Sequence, residues 1–463
     1  MASRDSNSVP SYAEVLRTPA YLQVFLAATF STWGDYIARV AAAAIVFSWT
    51  GSAVATAATF AVSLIPTILG RGLLGPLCDR FPAKATMVVT HFVRAVIVGL
   101  LILTVATTRS VALVLVLVFL LEFVGGPAIT ASQMILTEVF AHDRRLYAKG
   151  LGLGILAGQI NQAIGLAVGG VIVSSLGHLP TLALDAAAFV IGALLLMTVR
   201  LRPVPPVASS NFFRDLAGGW RQIQGDRVLT RLLLLSLTAT LAISAPEAVA
   251  LPYADAATHN ESSSWGGLLM AAPILGTVLG LVLIGRLPAE RQSANIMRLA
   301  LLMPLPLLVT IFQPPLWVVW LAWFACGALQ AFMLPLQAAF TLLVPTALRG
   351  RVFGLAGAVS VGVSGVSFLL AGWISEHTSP AASVGICAVV TLGILILLAA
   401  RWPKDEVAGS IEATFAEPEI RSETENQTQT QAQTQPGTEP NPQPQPQTRA
   451  SVPPVNRERT SGG

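Results

Sequence analysis

Along the first 400 residues, long apolar runs alternate with short polar turns. Twelve runs reach bilayer length, about 20 mostly apolar residues each. They lie near 21–48, 51–77, 84–107, 110–133, 148–174, 180–200, 230–254, 265–286, 294–312, 316–339, 352–374 and 381–401. Very short turns around 49–51, 108–110 and 175–179 make the helices they join antiparallel neighbours. After Trp402 the pattern stops, and Gln-Thr and Pro-Gln repeats with few apolar residues follow. Such a composition builds no core.

The predicted fold is therefore an all-α membrane protein of twelve transmembrane helices. A repeat divides it. Val139-Phe-Ala-His-Asp-Arg144 matches Val344-Pro-Thr-Ala-Leu-Arg349, and Gly75 to Lys84 corresponds to Gly285 to Arg291 without its Asp-Arg pair. The expected organisation is a cytoplasmic segment 1–20, a six-helix bundle 21–200, a connector 201–229, a second six-helix bundle 230–402 and a disordered cytoplasmic tail 403–463. The connector contains Phe212-Phe-Arg-Asp-Leu-Ala-Gly-Gly-Trp220, an amphipathic stretch suited to the membrane surface.

Composition agrees: of 463 residues, 54% are hydrophobic and 11% charged, and mean hydropathy is +0.67. Soluble chains carry about 25% charged residues. Residues 404–463 hold five basic against nine acidic residues, so the positive excess belongs to the body. There it gathers in alternate turns (Arg80, Lys84, Arg144, Arg145, Arg286, Arg291, Arg349, Arg351), whereas the opposite turns contain Arg109. This bias puts both termini in the cytoplasm and gives no reason to expect nucleic acid. Cys78, Cys326 and Cys387 show no disulfide or metal spacing. Neither a nucleotide-binding loop, a catalytic triad order nor a metal-ligand cluster is present in the five scattered histidines, so no cofactor, metal or enzymatic activity is expected.

The turn Gly75-Pro-Leu-Cys-Asp79-Arg80-Phe-Pro-Ala-Lys84 between the second and third runs resembles the Gly-x-x-x-Asp-Arg-x-x-x-(Lys/Arg) signature of major facilitator superfamily transporters. Further stretches resemble the macrolide-efflux and enterobactin-exporter group within it. These are Ser31-Thr-Trp-Gly34-Asp35, Ile65-Pro66, Arg94-Ala95, Leu184-Asp185-Ala186 and Arg349-Gly350-Arg351-Val352. Three departures stand out: His91 replaces an acid before Arg94, Gly165-Leu-Ala-Val-Gly169-Gly170 lacks the antiporter proline, and Glu122 stands near where drug antiporters carry an arginine. The resemblance implies a cytoplasmic latch of Gly75, Asp79, Arg80, Lys84, Arg349 and Arg351. It also implies that the helix-5 glycines pack on helix 8.

Charged residues at membrane depth must face the protein interior or water. Asp35 and Arg39 share one face of helix 1, either as a titrating cavity carboxylate or as an ion pair that can include Arg94. Glu122 has no cation within a turn of its own helix, which favours it over Asp35 and Arg39 as the proton-coupling group. Asp185 reads as a cap for helix 6 after Pro180. Gly154, Gly158, Gly165 and Gly169 form a small face for helix packing. Gln159, Gln162, Glu247, Trp323, Gln330 and Gln337 are cavity candidates, while Trp317 and Trp320 suit an interfacial belt. Together these features predict a monomeric secondary transporter, a proton-coupled exporter of amphipathic small molecules in the lipid bilayer of a bacterial inner membrane. The alternatives are an uptake symporter or facilitator and a nontransporting scaffold acting through the tail.

Overall fold

The computed structural model describes residues 12–141, 143–199, 212–258, 262–344 and 348–402, and among these every regular element is helical. The expectation for 403–463 lies outside the described residues. The long helices are α1 (Pro19–Thr50), α2 (Ala53–Leu74), α3 (Ala83–Thr107), α4 (Val111–Val139), α5 (Arg144–Leu176) and α6 (His178–Thr198). After the amphipathic helix Phe212–Gly225 come α7 (Arg227–Thr258), α8 (Ser262–Ile284), α9 (Arg291–Phe312), α10 (Leu316–Leu343), α11 (Arg349–His377) and α12 (Pro380–Ala399). Eleven of them, α2 to α12, are long and apolar enough to cross a membrane. The remaining helix, α1, has 32 residues, about 48 Å at 1.5 Å per residue. It falls short on apolarity, because Ser31 to Tyr36 and Arg39 occupy its middle.

Local chemistry sets the boundaries. Ser52, Ser110, Asp143 and Ser379 cap α2, α4, α5 and α12 by accepting bonds from backbone N–H groups of the first turn, each cap worth about 1 kcal/mol. Gly51 ends α1 with φ 62°, a conformation that costs glycine little. α9 departs from the continuous helix expected over 294–312. The stretch from Ala289 onward breaks into Ala289–Ala294, Ile296–Leu302 and a 3₁₀ segment Pro306–Phe312. Pro304 and Pro306 lack the N–H groups an α-helix needs there. α10 similarly tightens to 3₁₀ at Gln330–Phe332, ahead of Pro335.

The same packing device recurs in each set of six helices. A Cβ on Gly70 of α2 would stand 1.9 Å from the Phe123 carbonyl of α4, and one on Gly126 would stand 2.4 Å from the Arg71 nitrogen. A Cβ on Gly276 of α8 would likewise stand 1.9 Å from the Phe324 carbonyl of α10, and one on Gly327 would stand 1.8 Å from that of Pro273. Backbone contact at these two crossings leaves no room for a methyl group. The sequence repeat is thus also a repeat of helix crossings.

The two sets meet where α2 packs on α11, α5 on α8, and α7 on α1 and α2. The end of the bundle carrying the turn at 51–52 is closed. Glu376 of α11 accepts from the Ser52 hydroxyl at 2.6 Å and the Val54 N–H at 3.0 Å, at the N-terminus of α2. Gly372 lies against Ala57, and the Phe60 and Phe368 rings stand 5.8 Å apart. The hydroxyls of Ser174 and Ser264 meet across α5 and α8.

Candidate functional site

Toward the opposite end a cavity of about 620 Å³ opens among α1 to α5, with Val361 of α11 completing its described lining. Apolar and aromatic groups such as Phe25, Ile68 and Leu151 make up most of the wall, and the polar part is concentrated at mid-membrane depth. This combination of apolar walls and a few converging polar groups suits an organic ligand.

Two ion pairs cross from helix to helix at that depth. Arg94 of α3 donates from Nη2 to Asp35 Oδ1 at 2.6 Å and from Nη1 to Asp35 Oδ2 at 3.3 Å. Its Nε donates to the Leu121 carbonyl at 3.2 Å, and Cζ lies 4.3 Å over the Phe189 ring of α6. Gly125 gives the guanidinium room, because a Cβ there would stand 3.3 Å from Cζ. Arg39 of α1 donates to Glu122 Oε1 of α4 at 3.3 Å, and Thr67 of α2 donates to Glu122 Oε2 at 3.3 Å. The partners therefore differ from those expected within single helices: Asp35 pairs with Arg94 rather than Arg39, and Glu122 is not isolated. Arg39 also lies 4.9 Å from the Tyr36 ring centroid and within electrostatic range of Glu247 on α7.

Asp185 corrects the reading as a helix cap. α6 begins at His178, and Asp185 sits two turns inside it, fully buried, with neither carboxyl oxygen hydrogen-bonded. Its Oδ1 stands where a Cβ on Gly34 of α1 would be, at 2.4 Å. His91 lines the cavity, with Nδ1 2.8 Å from the Met87 carbonyl and Nε2 unpaired. Position in the sequence marked neither residue for this cluster.

Of the cavity candidates, none lies in the described lining. Trp323 is completely buried and donates to Thr310 Oγ1 at 3.1 Å. Gln330 Oε1 accepts from Thr277 at 3.1 Å, and Gln337 is exposed on α10. Glu247, Gln159 and Gln162 are half-buried outside the lining. Trp317 is 61% exposed, as a belt residue is, but Trp320 turns inward and donates to the Leu268 carbonyl of α8.

The glycine face also divides. Gly165 and Gly169 pack on Tyr36 and Ile37 of α1, not on α8, and Gly276 and Gly280 pack on α10. Contact between α5 and α8 runs instead through Gly170 and Gly267. Gly154 lines the cavity, and a Cβ on Gly154 or Gly158 would meet nothing within 4 Å.

At the expected latch, Lys84 donates to the carbonyls of Met197 at 2.7 Å and Val199 at 2.6 Å, closing the end of α6. Gly75 approaches its own Arg71 carbonyl, not a neighbouring helix. Arg80 is exposed, and Arg351 is exposed beside Gly218 of the amphipathic helix. The side chains of Asp79 and Arg349 lie outside the described part of the structure.

Comparison with known proteins gives a consistent picture. The multidrug efflux pump Tap of Mycolicibacterium fortuitum is 24% identical over 380 residues, covering 78% of this chain and 90% of that protein. The enterobactin exporter EntS of Salmonella typhimurium is 26% identical over 395 residues, covering 82% and 92%. The crystal structure of the nucleoside transporter NupG superimposes with a TM-score of 0.63 at 15% identity, covering 84% of this chain and 99% of that one, a likeness of fold. The family profile of transmembrane secretion effectors matches residues 11–430. With its twelve long helices and central cavity, the chain belongs to this transmembrane secretion effector family of the major facilitator superfamily.

Proposed function

We propose that the protein is a proton-coupled exporter of amphipathic organic compounds, working by alternating access in a bacterial plasma membrane with both termini cytoplasmic. One observation carries the reading: a cavity closed at one end and floored by two interhelical ion pairs. On the charge bias of the turns, the open end faces the cytoplasm, so the arrangement is the one that loads substrate from inside. The relatives named for efflux of drugs and of enterobactin support export over uptake.

Glu122 is the carboxylate that responds to substrate in this scheme. Its bonds to Arg39 and Thr67 are both 3.3 Å, whereas Asp35 is held at 2.6 Å by a guanidinium that is 6% exposed. A cationic group on a substrate competes with Arg39 for Glu122, and only binding that differs between states drives the rocking of the bundles. The latch assigned to Asp79, Arg80, Arg349 and Arg351 would form at the cytoplasmic end in the opposite state.

The test is transport by the purified full-length chain in proteoliposomes with an imposed pH gradient, using ethidium, rhodamine 6G and erythromycin as probes. Uphill movement of at least one probe, lost on collapsing the gradient and reduced at least tenfold in Glu122→Gln, is the expected result. No gradient-dependent movement of any probe overturns the coupled-export reading for these amphipathic probes. Deleting residues 405–463 should leave transport intact; its loss would favour the scaffold alternative.

A further inference from the structure

Resting on that reading, we propose that Asp185 of α6 is the site that holds the transported proton, and that it shares Arg94 with Asp35 as alternative partners. The charges around it are uneven. Arg39 and Arg94 face three carboxyls: Asp35 and Glu122 are satisfied by ion pairs, while Asp185 has both oxygens buried and unbonded. Glu247 on α7 adds a further acid on the Arg39 side. An ionised carboxylate without a partner in such a site is strongly disfavoured, and a neutral carboxylic acid costs far less.

The groups that face Asp185 are known from every side. α1 presents Asp35 and the bare backbone of Gly34, α3 presents Arg94, and Glu122 of α4 lies farther off, while His91 of α3 stands further along α6, against Phe189 and Gly192. Arg94 is already placed between the two acids. It is hydrogen-bonded to Asp35 on one side and stacked over Phe189 on the other, one turn along α6 from Asp185. When the proton leaves, the Asp185 carboxylate competes with Asp35 for this guanidinium.

Release needs an opening, because Asp185 is completely buried and its carboxyl rests over Gly34. Moving α1 away from α6 supplies both water and a new position for Asp35. The proton passes from the carboxyl oxygen to that water, and the resulting anion takes up bonds from Arg94. Exchange of the proton is thereby tied to a helix movement, which is what coupling requires.

The experiment is infrared difference spectroscopy on the purified full-length protein near neutral pH, comparing wild type with Asp185→Asn and Asp185→Ser. Ser is smaller than Asp and fits beside Gly34 if Asn does not; melting curves in detergent confirm folding. The expected result is a carbonyl band of a buried protonated carboxylic acid in wild type that disappears in the folded variants and persists in Glu122→Gln. A band unchanged by substitution at Asp185, or no such band in wild type, overturns the proposal. In proteoliposomes, either Asp185 variant should lose at least tenfold of pH-driven ethidium transport while retaining downhill exchange. A wild-type gradient-driven rate in these variants also overturns it. A wild type indifferent to the gradient sinks the coupled-export reading, and the infrared band still decides whether Asp185 holds a proton.

Discussion

Replacing Glu376 by Ala should open the end of the bundle that the structure shows closed. Glu376 makes two bonds to the first turn of α2, one to the Ser52 hydroxyl and one to the Val54 N–H. A carboxylate accepting such bonds gains from the unpaired N–H groups and the helix dipole at that end. Hydrogen bonds to charged groups contribute about 1.5–3 kcal/mol when shielded, but this group is solvent-exposed and screening reduces the figure. A net loss of about 1–2 kcal/mol remains, equivalent to roughly a 5- to 30-fold rise in the population open at this end. Spin labels on Thr107→Cys at the end of α3 and Phe312→Cys at the end of α9 report the separation, since both positions are exposed. The native cysteines are all buried and give little background. Double electron–electron resonance should show a longer-distance component growing in Glu376→Ala. Gly372→Ala should add to it, because a Cβ there would stand 2.6 Å from that of Ala57. Unchanged distributions in both variants would refute the assignment of this contact as the seal of this end.

Three further outcomes follow from the packing. Arg94→Met should cost about 3–5 kcal/mol of stability by stranding Asp35, and the double change with Asp35→Asn should recover much of it, as read by thermal unfolding in detergent. Gly126→Ala places a methyl group 2.4 Å from the α2 backbone, so it should destabilise by at least the roughly 1–3 kcal/mol of core overpacking and reduce the yield of folded protein. Lys84→Met should cost about 1 kcal/mol or less, given partial exposure, and hydrogen exchange should rise specifically at the end of α6.

Periodicity and charge make the helix count and the antiparallel order readable in the sequence, because both depend on local composition, and the family is readable by the resemblance of the Gly75–Lys84 turn and its companion stretches. The site depended on which helix faces which, and there local reasoning failed. Spacing of four residues put Asp35 beside Arg39, yet each finds its partner on a different helix, α3 and α4. Proximity to Pro180 made Asp185 look like a cap, although α6 starts earlier and carries it inside. Lys84 matches a motif, but its ammonium donates to two carbonyls left open at the end of α6. Glycine positions are informative in kind but not in partner: Gly70 and Gly125-Gly126, beside a proline, mark the crossing of α2 with α4, while the α5 glycines suggest packing on α8 and Gly165 and Gly169 meet α1 instead.

The uneven surroundings of the α5 glycines bear on how the protein can be stopped. Gly165, Gly169 and Gly170 are wedged against α1 and α8, whereas Gly154 and Gly158 border empty space. If the bundles rock, that space belongs to one half of the cycle only. A bulky residue at Gly158 would then be invisible to folding and to substrate loading, and would act as a doorstop on the return stroke. A small molecule lodged beside Gly154 would do the same by occupying room the protein must reclaim. Inhibition at this point needs no competition for the ion pairs, and increasing the substrate concentration would not relieve it.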